Sequence, residues 1–341
     1  MQQFFRDPRQ RAIVIVSVLL VLAVASLGLS GMTGSVALSL PELHGALRAL
    51  LHGGADSMAA TLLELRLSRA MVAFVTGAAL SLAGVMMQAL LRNPLADPYV
   101  LGISAGASVG ALVALLSMGA LWMVDAAAFG GAVAVSMMLY VLARHDIAGG
   151  AAAAGGASVL LLTGVILSSA CMALVTLMLS IAPESRLRGM VFWMIGDLAG
   201  APLRVLPWLV LAGAMVFALR SARALNVLAL HAESAATLGV PVGALRKALF
   251  FCSGVLTASA VTSAGSIGFV GLIVPHACRF AFGADHRLLV PVATLAGGTF
   301  LVLADILART LLAPQQLPVG VVTALIGAPF FLYQLHQLRR A

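Results

Sequence analysis

The residues of this chain that could perform chemistry are few, and their spacing does not suit catalysis. Only 9% of the 341 residues are charged. Asp197 and Asp305, two carboxylates within apolar surroundings, lie too far apart in the sequence to predict a catalytic pair. No histidine shares an apolar run with a suitable nucleophile, and no GxxxxGK[ST] motif that could bind ATP is present. The sequence therefore disfavours an enzyme, including one that works inside a membrane.

Residues that could ligate a metal are also sparse. Cys171, Cys252 and Cys278 lie in or beside apolar runs without the spacing of a metal site, and they are predicted to be small buried side chains. His276 could in principle ligate haem iron, but a lone histidine between Pro275 and Arg279 is more typical of a structural role. The sequence predicts no metal site and no cofactor bound by this chain.

One short mixed stretch, Leu225 to Pro241 (LNVLALHAESAATLGVP), has a different pattern. It is too short and too polar to cross a bilayer, and basic residues flank it on both sides. Its spacing predicts a helix from Ala232 to Leu238, ended by Gly239 in a left-handed conformation, with Pro241 preventing continuation. We interpret 220–247 as a cytoplasmic segment that presents this helix to a partner.

The elements that position these residues are membrane helices. The chain is 62% hydrophobic with a mean hydropathy of +1.08, and apolar runs of about 20 residues recur along it, the length that spans a hydrocarbon core. Strict alternation typical of barrel strands is absent. The sequence therefore predicts an all-α polytopic membrane protein. The net charge of +8 is scattered between apolar runs, which favours basic cytoplasmic loops over nucleic-acid binding.

The apolar runs predict about ten transmembrane helices with both termini cytoplasmic. Their approximate ranges are 13–29, 62–91, 99–116, 121–142, 159–181, 205–219, 248–261, a glycine-rich broken segment at 265–276, 289–307 and 319–335. Between them we expect an amphipathic helix at 41–51, a sharp turn at 92–98 and a re-entrant or surface segment at 190–202. The first run could also be a signal peptide cleaved near Ala25, but the charges favour an uncleaved span.

The basic residues test this orientation. Of the 20 lysines and arginines, thirteen fall on the predicted cytoplasmic side and seven outside, which agrees with the positive-inside rule. Seven is nevertheless a large number for the outer side. Arg66, Arg69 and Arg309 are among those seven, and they call for an explanation other than topology.

Three long stretches resemble one known family. They are LSRAMVAFVTGAALSLAGVMMQALLRNPLADPYVLGISAGASVGA, GFVGLIVPHACR and LADILARTLLAPQQLPVGVVTALIGAPFF. They are similar to the iron-siderophore, haem and cobalamin permeases of bacterial type II ABC importers (FecCD-type, BtuC-like). The resemblance covers the chain from about Leu62 to its end.

This resemblance implies a set of partners and a mechanism. Residues 1–341 would form a single transmembrane permease domain in the bacterial inner membrane, acting as a homodimer of ten-helix subunits in the lipid bilayer. Two ABC ATPase subunits, which use the ATP, would dock in the cytoplasm, and a periplasmic substrate-binding protein would dock outside. Transport would follow alternating access, and the resemblance implies no nucleic-acid partner.

The resemblance also assigns three groups of residues. Binding-protein docking falls to Arg66, Arg69 and Arg309, although Arg309 could instead pair with Asp305 one helical turn earlier. Coupling to the ATPase falls to His231, Glu233, Ser234, Ala235, Ala236 and Gly239. The translocation pathway is assigned to Ser158, Thr163, Ser168, Ser169, Gly265 and Gly268.

The cargo is the least determined feature. We expect an iron chelate, with haem favoured or else a ferric siderophore, carried from the periplasm to the cytoplasm. Cobalamin is the alternative within the same family. A more remote alternative is a secondary transporter driven by ions, which would need no ATPase partner.

Overall fold

The computed structural model describes residues 8–34, 36, 38–52, 57–148, 156–230 and 232–338, and these form helices without any strand. A single-turn 3₁₀ helix, Pro98–Leu101, precedes α4. The α-helices in chain order are α1 Pro8–Met32, α2 Leu40–His52, α3 Met58–Leu91, α4 Ile103–Leu116, α5 Leu121–Ala148, α6 Gly156–Ile181, α7 Glu184–Ile195, α8 Leu206–Leu230, α9 Ala232–Thr237, α10 Val242–Ala264, α11 Val270–Phe282, α12 His286–Thr310 and α13 Val319–Leu338.

The expected polytopic architecture is confirmed. Within the described residues, seven helices (α1, α3, α5, α6, α8, α10 and α12) are long and apolar enough to cross a membrane. Three shorter apolar helices, α4, α11 and α13, complete the set. This agrees with the approximately ten crossings predicted from the sequence.

The centre of the molecule is α3, which is 34 residues long and almost wholly buried. It packs against α12, α10, α11 and α1. Glycines allow this approach: a Cβ atom on Gly77 would lie 2.3 Å from the Gly297 carbonyl oxygen, and one on Gly84 would lie 1.9 Å from that of Gly271. Small residues at helix crossings are the usual means of close packing in membranes.

The glycine-studded third span packs in the same way. A Cβ atom on Gly110 of α4 would lie 1.9 Å from the carbonyl oxygen of Ala127 in α5, and one on Gly131 would lie 2.1 Å from that of Gly106. The glycines of this span therefore form a close-packing surface against α5. The start of this span needs correction, because Gly102 adopts φ +78° and separates α4 from the preceding 3₁₀ turn.

A second break lies between α10 and α11, where the sequence predicted one. Gly265 has φ +71° and Phe269 has φ +71°, and the chain between them is not helical. The expectation that the broken segment extends to residue 276 is wrong, because α11 begins at Val270 and continues through Pro275. The two breaks meet: the Ser104 and Ser266 hydroxyls lie 2.6 Å apart.

The largest boundary correction concerns α8. The sequence ended this span at Leu219 and placed Leu225 in a cytoplasmic stretch, but the helix continues to Leu230. No glycine or proline occurs between Gly213 and Gly239 to end it. Leu225 and Leu228 are fully buried in the added turns, so this part packs against the bundle instead of forming a loop.

The short elements follow local chemistry. The amphipathic helix expected at 41–51 is α2, and its first turn is capped reciprocally. The Ser39 backbone N–H and hydroxyl donate to Glu42 Oε2 at 2.8 and 2.7 Å, a capping box. These bonds lower the pKa of Glu42. The segment expected at 190–202 consists of the end of α7 followed by a turn.

Candidate functional site

A cleft of about 540 Å³ opens where α3 begins and α12 ends. The turn 198–203 after α7 forms its opposite wall. Arg66, Arg69 and Arg309 all line it, together with Gln316. The structure therefore brings the three predicted docking residues together in one place, which we call the outer arginine cleft.

Asp305 organises the outer arginine cleft from beneath. Its side chain is completely buried and accepts from Arg69 Nε and Nη2 at 3.0 and 2.8 Å. The same carboxylate lies 3.0 Å from Arg309 Nε. The local pair that the sequence offered as an alternative for Arg309 is therefore present, and Arg69 shares it.

The other contacts of the arginines hold the end of α1. Arg66 donates to the carbonyl oxygens of Gly31 and Met32 at 3.3 and 3.4 Å, and to that of Val36. Arg309 donates to the Ser30 hydroxyl at 2.7 Å. These bonds hold the C-terminal end of α1 and the residues just after it against α3 and α12.

The three arginines differ in how far their side chains are exposed. Arg66 and Arg309 are 7% and 4% exposed, so their guanidinium groups lie mainly in the interior of the protein. Arg69 is also largely buried, but its Nη1 reaches the cleft surface and donates to Gln316 Oε1 at 2.8 Å. Three guanidinium groups against the single carboxylate of Asp305 leave an excess of positive charge in the outer arginine cleft.

At the opposite end of the molecule, α9 follows α8 directly. The Gly239 N–H donates to the Ala236 carbonyl and the Val240 N–H to that of Ala235, both at 3.0 Å. These bonds form a Schellman motif, and Gly239, at φ +78°, has the left-handed conformation that the sequence predicted. Ala235 is buried and Ala236 is exposed, so α9 presents one small-residue face outward.

For the remaining residues of the predicted coupling group, the structure describes at most the backbone. Glu233 and Ser234 lie on α9, but their side chains fall outside the described part of the structure. His231 lies outside the described residues. The backbone of α9 thus gives the position of the group, between α8 and α10.

Sequence reasoning missed the residue that holds this end in place. Asn226, on the last turns of α8, accepts the His286 backbone N–H at 2.8 Å and lies 2.7 Å from His286 Nδ1. Its amide donates to Asp285 Oδ1 at 2.7 Å. A lone amide in the apolar run LNVLAL was the available signal, because a polar side chain among apolar neighbours needs hydrogen-bond partners.

These contacts make α12 a connection between the two ends. Its N-terminus binds Asn226, one turn before the end of α8, and its C-terminal part carries Asp305 and Arg309 of the outer arginine cleft. A helix of 25 residues is about 37 Å long. One helix therefore joins the outer arginine cleft to α8, the helix that precedes α9.

The predicted pathway residues on α6 do not share one environment. Ser169 is exposed, and its hydroxyl donates to the Val165 carbonyl at 2.9 Å. Thr163 is half-buried and bonds similarly to Val159. Ser168 instead packs toward Gly102, whose Cβ position lies 3.2 Å from the Ser168 hydroxyl.

The other pathway predictions lie at the α10–α11 break or at the start of α6. Gly265 packs tightly, since its Cβ position is 2.2 Å from the Trp193 carbonyl oxygen, while Gly268 has open space around it. Ser158 lies in the first turn of α6, and its side chain is outside the described part. Among the described residues, no group of three His, Cys, Asp or Glu side chains lies close enough to hold a metal ion.

The whole sequence from residue 13 to residue 337 matches the model of the FecCD transport family. The chain belongs to the FecCD transport family. This confirms the resemblance found in the sequence, and it extends the match to α1.

Curated relatives within the FecCD family agree. The chain is 40% identical over 282 residues to the vitamin B12 import system permease protein BtuC of Escherichia coli O9:H4 (strain HS), covering 81% of this chain and 84% of that protein. The BtuC protein of Shigella boydii serotype 18 matches to the same extent. The chain is thus similar to permeases over most of its length.

Solved structures support the same FecCD assignment. One, described as an inward-facing conformation of an ABC transporter assigned to the metal-chelate type, matches with a TM-score of 0.80 and 30% identity over 95% of this chain and 99% of that one. PsaBC from Streptococcus pneumoniae in complex with Fab matches with a TM-score of 0.55 at 17% identity, which shows the fold alone. The chain is therefore a permease of the FecCD type of ABC importer.

Proposed function

We propose that this chain forms the membrane pathway of an importer for cobalamin. The observation that carries this proposal is 40% identity over most of the chain to permeases named for vitamin B12 import. It favours the cobalamin alternative over haem or a ferric siderophore, the cargo preferred on the sequence. The proposed direction is from the periplasm of a bacterial cell, across its inner membrane, to the cytoplasm.

The outer arginine cleft is the proposed docking site for a periplasmic binding protein. Its excess positive charge suits an acidic side chain of that protein, because charge-assisted pairs with arginine fix orientation and speed encounter. Arg69 is the residue best placed to meet it, since Nη1 reaches the surface beside Gln316. Arg66 and Arg309 contribute charge from beneath and hold the cleft in shape.

The proposed coupling element is α9 with its flanking turns. A short helix with a small-residue outward face nests closely in a groove, and Glu233 adds a carboxylate for a basic partner. We assign that groove to a separate ABC ATPase subunit, which uses the ATP. Closure of two such subunits would move α9, and α8 and α12 would transmit the movement toward the outer arginine cleft.

The proposed pathway runs along the exposed face of α6, between two copies of this chain. Ser169, Thr176 and Ser180 are exposed on that face, and each hydroxyl donates to the carbonyl four residues earlier at 2.8–2.9 Å. Because their donors are already used, these hydroxyls would hold a polar cargo only weakly. Weak binding lets cargo leave the pathway, as transport requires.

Cargo is tested by uptake into proteoliposomes that contain the permease and its ATPase, with the cognate binding protein outside. Labelled cyanocobalamin should accumulate only with ATP, and excess unlabelled cobalamin should abolish its uptake. Haem and a ferric siderophore are supplied in parallel as matched cargoes. ATP-dependent uptake of either of these without uptake of cobalamin would contradict the proposed cargo, although it would leave the permease assignment intact.

Docking is tested with Arg69→Glu, using Arg48→Glu on the exposed face of α2 as the control with the same charge change. We expect weaker binding of the loaded binding protein to the Arg69 variant, by about ten-fold or more. Binding of the ATPase subunit should stay unchanged in both variants, which shows that they are folded. Undiminished docking by the Arg69 variant would remove the outer arginine cleft from the interface.

A further inference from the structure

A groove outside the transport machinery runs between α5 and α10 and has one polar end. At that end, a cavity of about 320 Å³ is lined by apolar side chains of α5, α8 and α10 and by the polar residues Asp125, Arg204, Ser259, Thr262 and Ser263. A second, smaller cavity of about 70 Å³ follows deeper along the same two helices. Val255 lines both cavities, so they adjoin along the same two helices, and we call them together the α5–α10 groove.

The length of the α5–α10 groove matches one lipid leaflet. On α5 its lining residues follow one face at intervals of three or four, from Asp125 through Phe129 and Val133 to Met137. Twelve residues of helix rise about 18 Å, a little more than half of a hydrocarbon core about 30 Å thick. An acyl chain of a single leaflet therefore fits its depth.

The deep part of the α5–α10 groove is apolar and open. Phe129, Val133, Met137 and Val255 are between 39% and 48% exposed. The hydroxyl of Ser136 has no free donor for a ligand, because it donates to the Ala132 carbonyl within its own helix at 2.7 Å. Gly254 adds no side chain to the base of the groove, and its Cβ position is no closer than 3.8 Å to any neighbour.

The shallow end carries both signs of charge. Arg204 Nη2 and Asp125 Oδ2 form an ion pair, with side chains 36% and 21% exposed. In the part of the chain that the structure describes, no other hydrogen bond involves either side chain, so each keeps capacity for a ligand. The Ser259 hydroxyl also lines this end and has no partner among the described residues.

We propose that the α5–α10 groove binds a zwitterionic phospholipid, phosphatidylethanolamine, from the outer leaflet. Its phosphate accepts from the guanidinium of Arg204, its ammonium donates to Asp125, and one acyl chain lies along Phe129 and Val255. A carboxylate and a guanidinium together carry no net charge, which matches a headgroup bearing one phosphate and one ammonium. An anionic headgroup would leave Asp125 facing a like charge.

The experiment uses the full-length permease, purified and titrated with phosphatidylethanolamine or phosphatidylglycerol, with retained lipid counted by native mass spectrometry. Val255→Trp fills the middle of the groove. Leu209→Trp, at a residue of α8 that is 63% exposed and outside the groove lining, is the matched control. Phosphatidylethanolamine should remain on the wild type and on the Leu209 variant, and it should be lost from the Val255 variant.

A second variant tests the headgroup separately. Arg204→Gln removes the phosphate partner without filling the groove, and we expect about ten-fold weaker retention of phosphatidylethanolamine. Equal retention of phosphatidylglycerol and phosphatidylethanolamine by the wild type would overturn the proposal. So would full retention by a folded Val255 variant. A change in oligomeric state of that variant, without a change in lipid, would show that a second copy of the chain covers the groove instead.

Discussion

At the level of single residues, the carboxylate of Asp305 is the group on which the outer arginine cleft most depends. It is fully buried and serves two guanidinium groups, those of Arg69 and Arg309. Removing one partner of a buried charge network leaves the others without compensation, and this costs far more than the net value of the network. The outer arginine cleft therefore depends on one carboxylate beneath it.

We predict that Asp305→Asn destabilises the protein by about 3–5 kcal/mol, measured as unfolding of the purified permease in detergent. Asp125→Asn is the matched control, because its pair with Arg204 is partly exposed and such pairs contribute about 0–1 kcal/mol. Equal effects of the two substitutions would show that Asp305 does not organise the cleft.

A second residue-level prediction concerns pH and Asp97, in the turn between α3 and α4. Burial raises the pKa of this carboxyl to about 6, against the opposing effect of the Tyr99 N–H that it accepts. The native state then binds more protons than the unfolded state between its usual pKa of 3.8 and about 6. Native stability attributable to Asp97 therefore falls as pH rises through this window.

Asp97→Asn keeps the acceptor for Tyr99 but cannot ionise. The stability of this variant relative to wild type should increase from about pH 4 to about pH 6 and then stay constant. Thermal unfolding of both proteins across this range measures the difference. A difference that does not change with pH would mean that Asp97 titrates normally.

At the level of elements, close helix crossings hold the bundle together. Gly84 of α3 lies against the backbone of Gly271 in α11, with no flexible side chain that could move aside. By contrast, Gly213 of α8 has no atom within 4 Å of its Cβ position. The two positions provide a paired test of packing with the same substitution.

We predict that Gly84→Ala lowers stability by about 1–3 kcal/mol or more, because α3 and α11 must separate. Gly213→Ala should be neutral or slightly stabilising, since alanine is the better helix former. Unfolding in detergent measures both. A fully stable Gly84 variant would show that this crossing is looser than the structure indicates.

The joint between α8 and α12 is the second element that can be tested. Asn226→Ala leaves the His286 N–H and Asp285 without their amide partner, and the loss should be about 1–3 kcal/mol. Thr299→Ala on the same α12 is the control, because among the described residues that hydroxyl bonds only to the Leu295 carbonyl of its own helix. ATP-dependent uptake should fall in the Asn226 variant and persist in the control.

At the level of the whole molecule, the sequence was informative where local chemistry decides structure. Gly239 ends α9 in a left-handed conformation where it was expected, and apolar length identified the spans. Prediction from the sequence was wrong where contacts between helices determine the structure. The extension of α8 to Leu230 depends on buried leucines and on Asn226, and the continuation of α11 through Pro275 depends on its packing against α3.

The candidate site likewise has features that the sequence predicted and features that it did not. Grouping of Arg66, Arg69 and Arg309 followed from the family resemblance and from their predicted side of the membrane. The pairing of Arg309 with Asp305 was available from the sequence, because the two lie one helical turn apart. The bonds of Arg69 to Asp305 and of Arg309 to Ser30 could not be predicted, since each joins residues more than 230 positions apart. One connected structure, from the outer arginine cleft through α12 and α8 to α9, emerges only in three dimensions.

The central claim is that this chain couples an outer receptor to a cytoplasmic ATPase through α9. Its most direct test is ATP hydrolysis by the reconstituted importer, with and without the loaded binding protein, for wild type, Glu233→Lys and Glu184→Lys. The last variant makes the same charge change on α7. We expect the loaded binding protein to stimulate hydrolysis in wild type and in the Glu184 variant but not in the Glu233 variant, which should still bind that protein. Wild-type stimulation and uptake by the Glu233 variant would contradict the account.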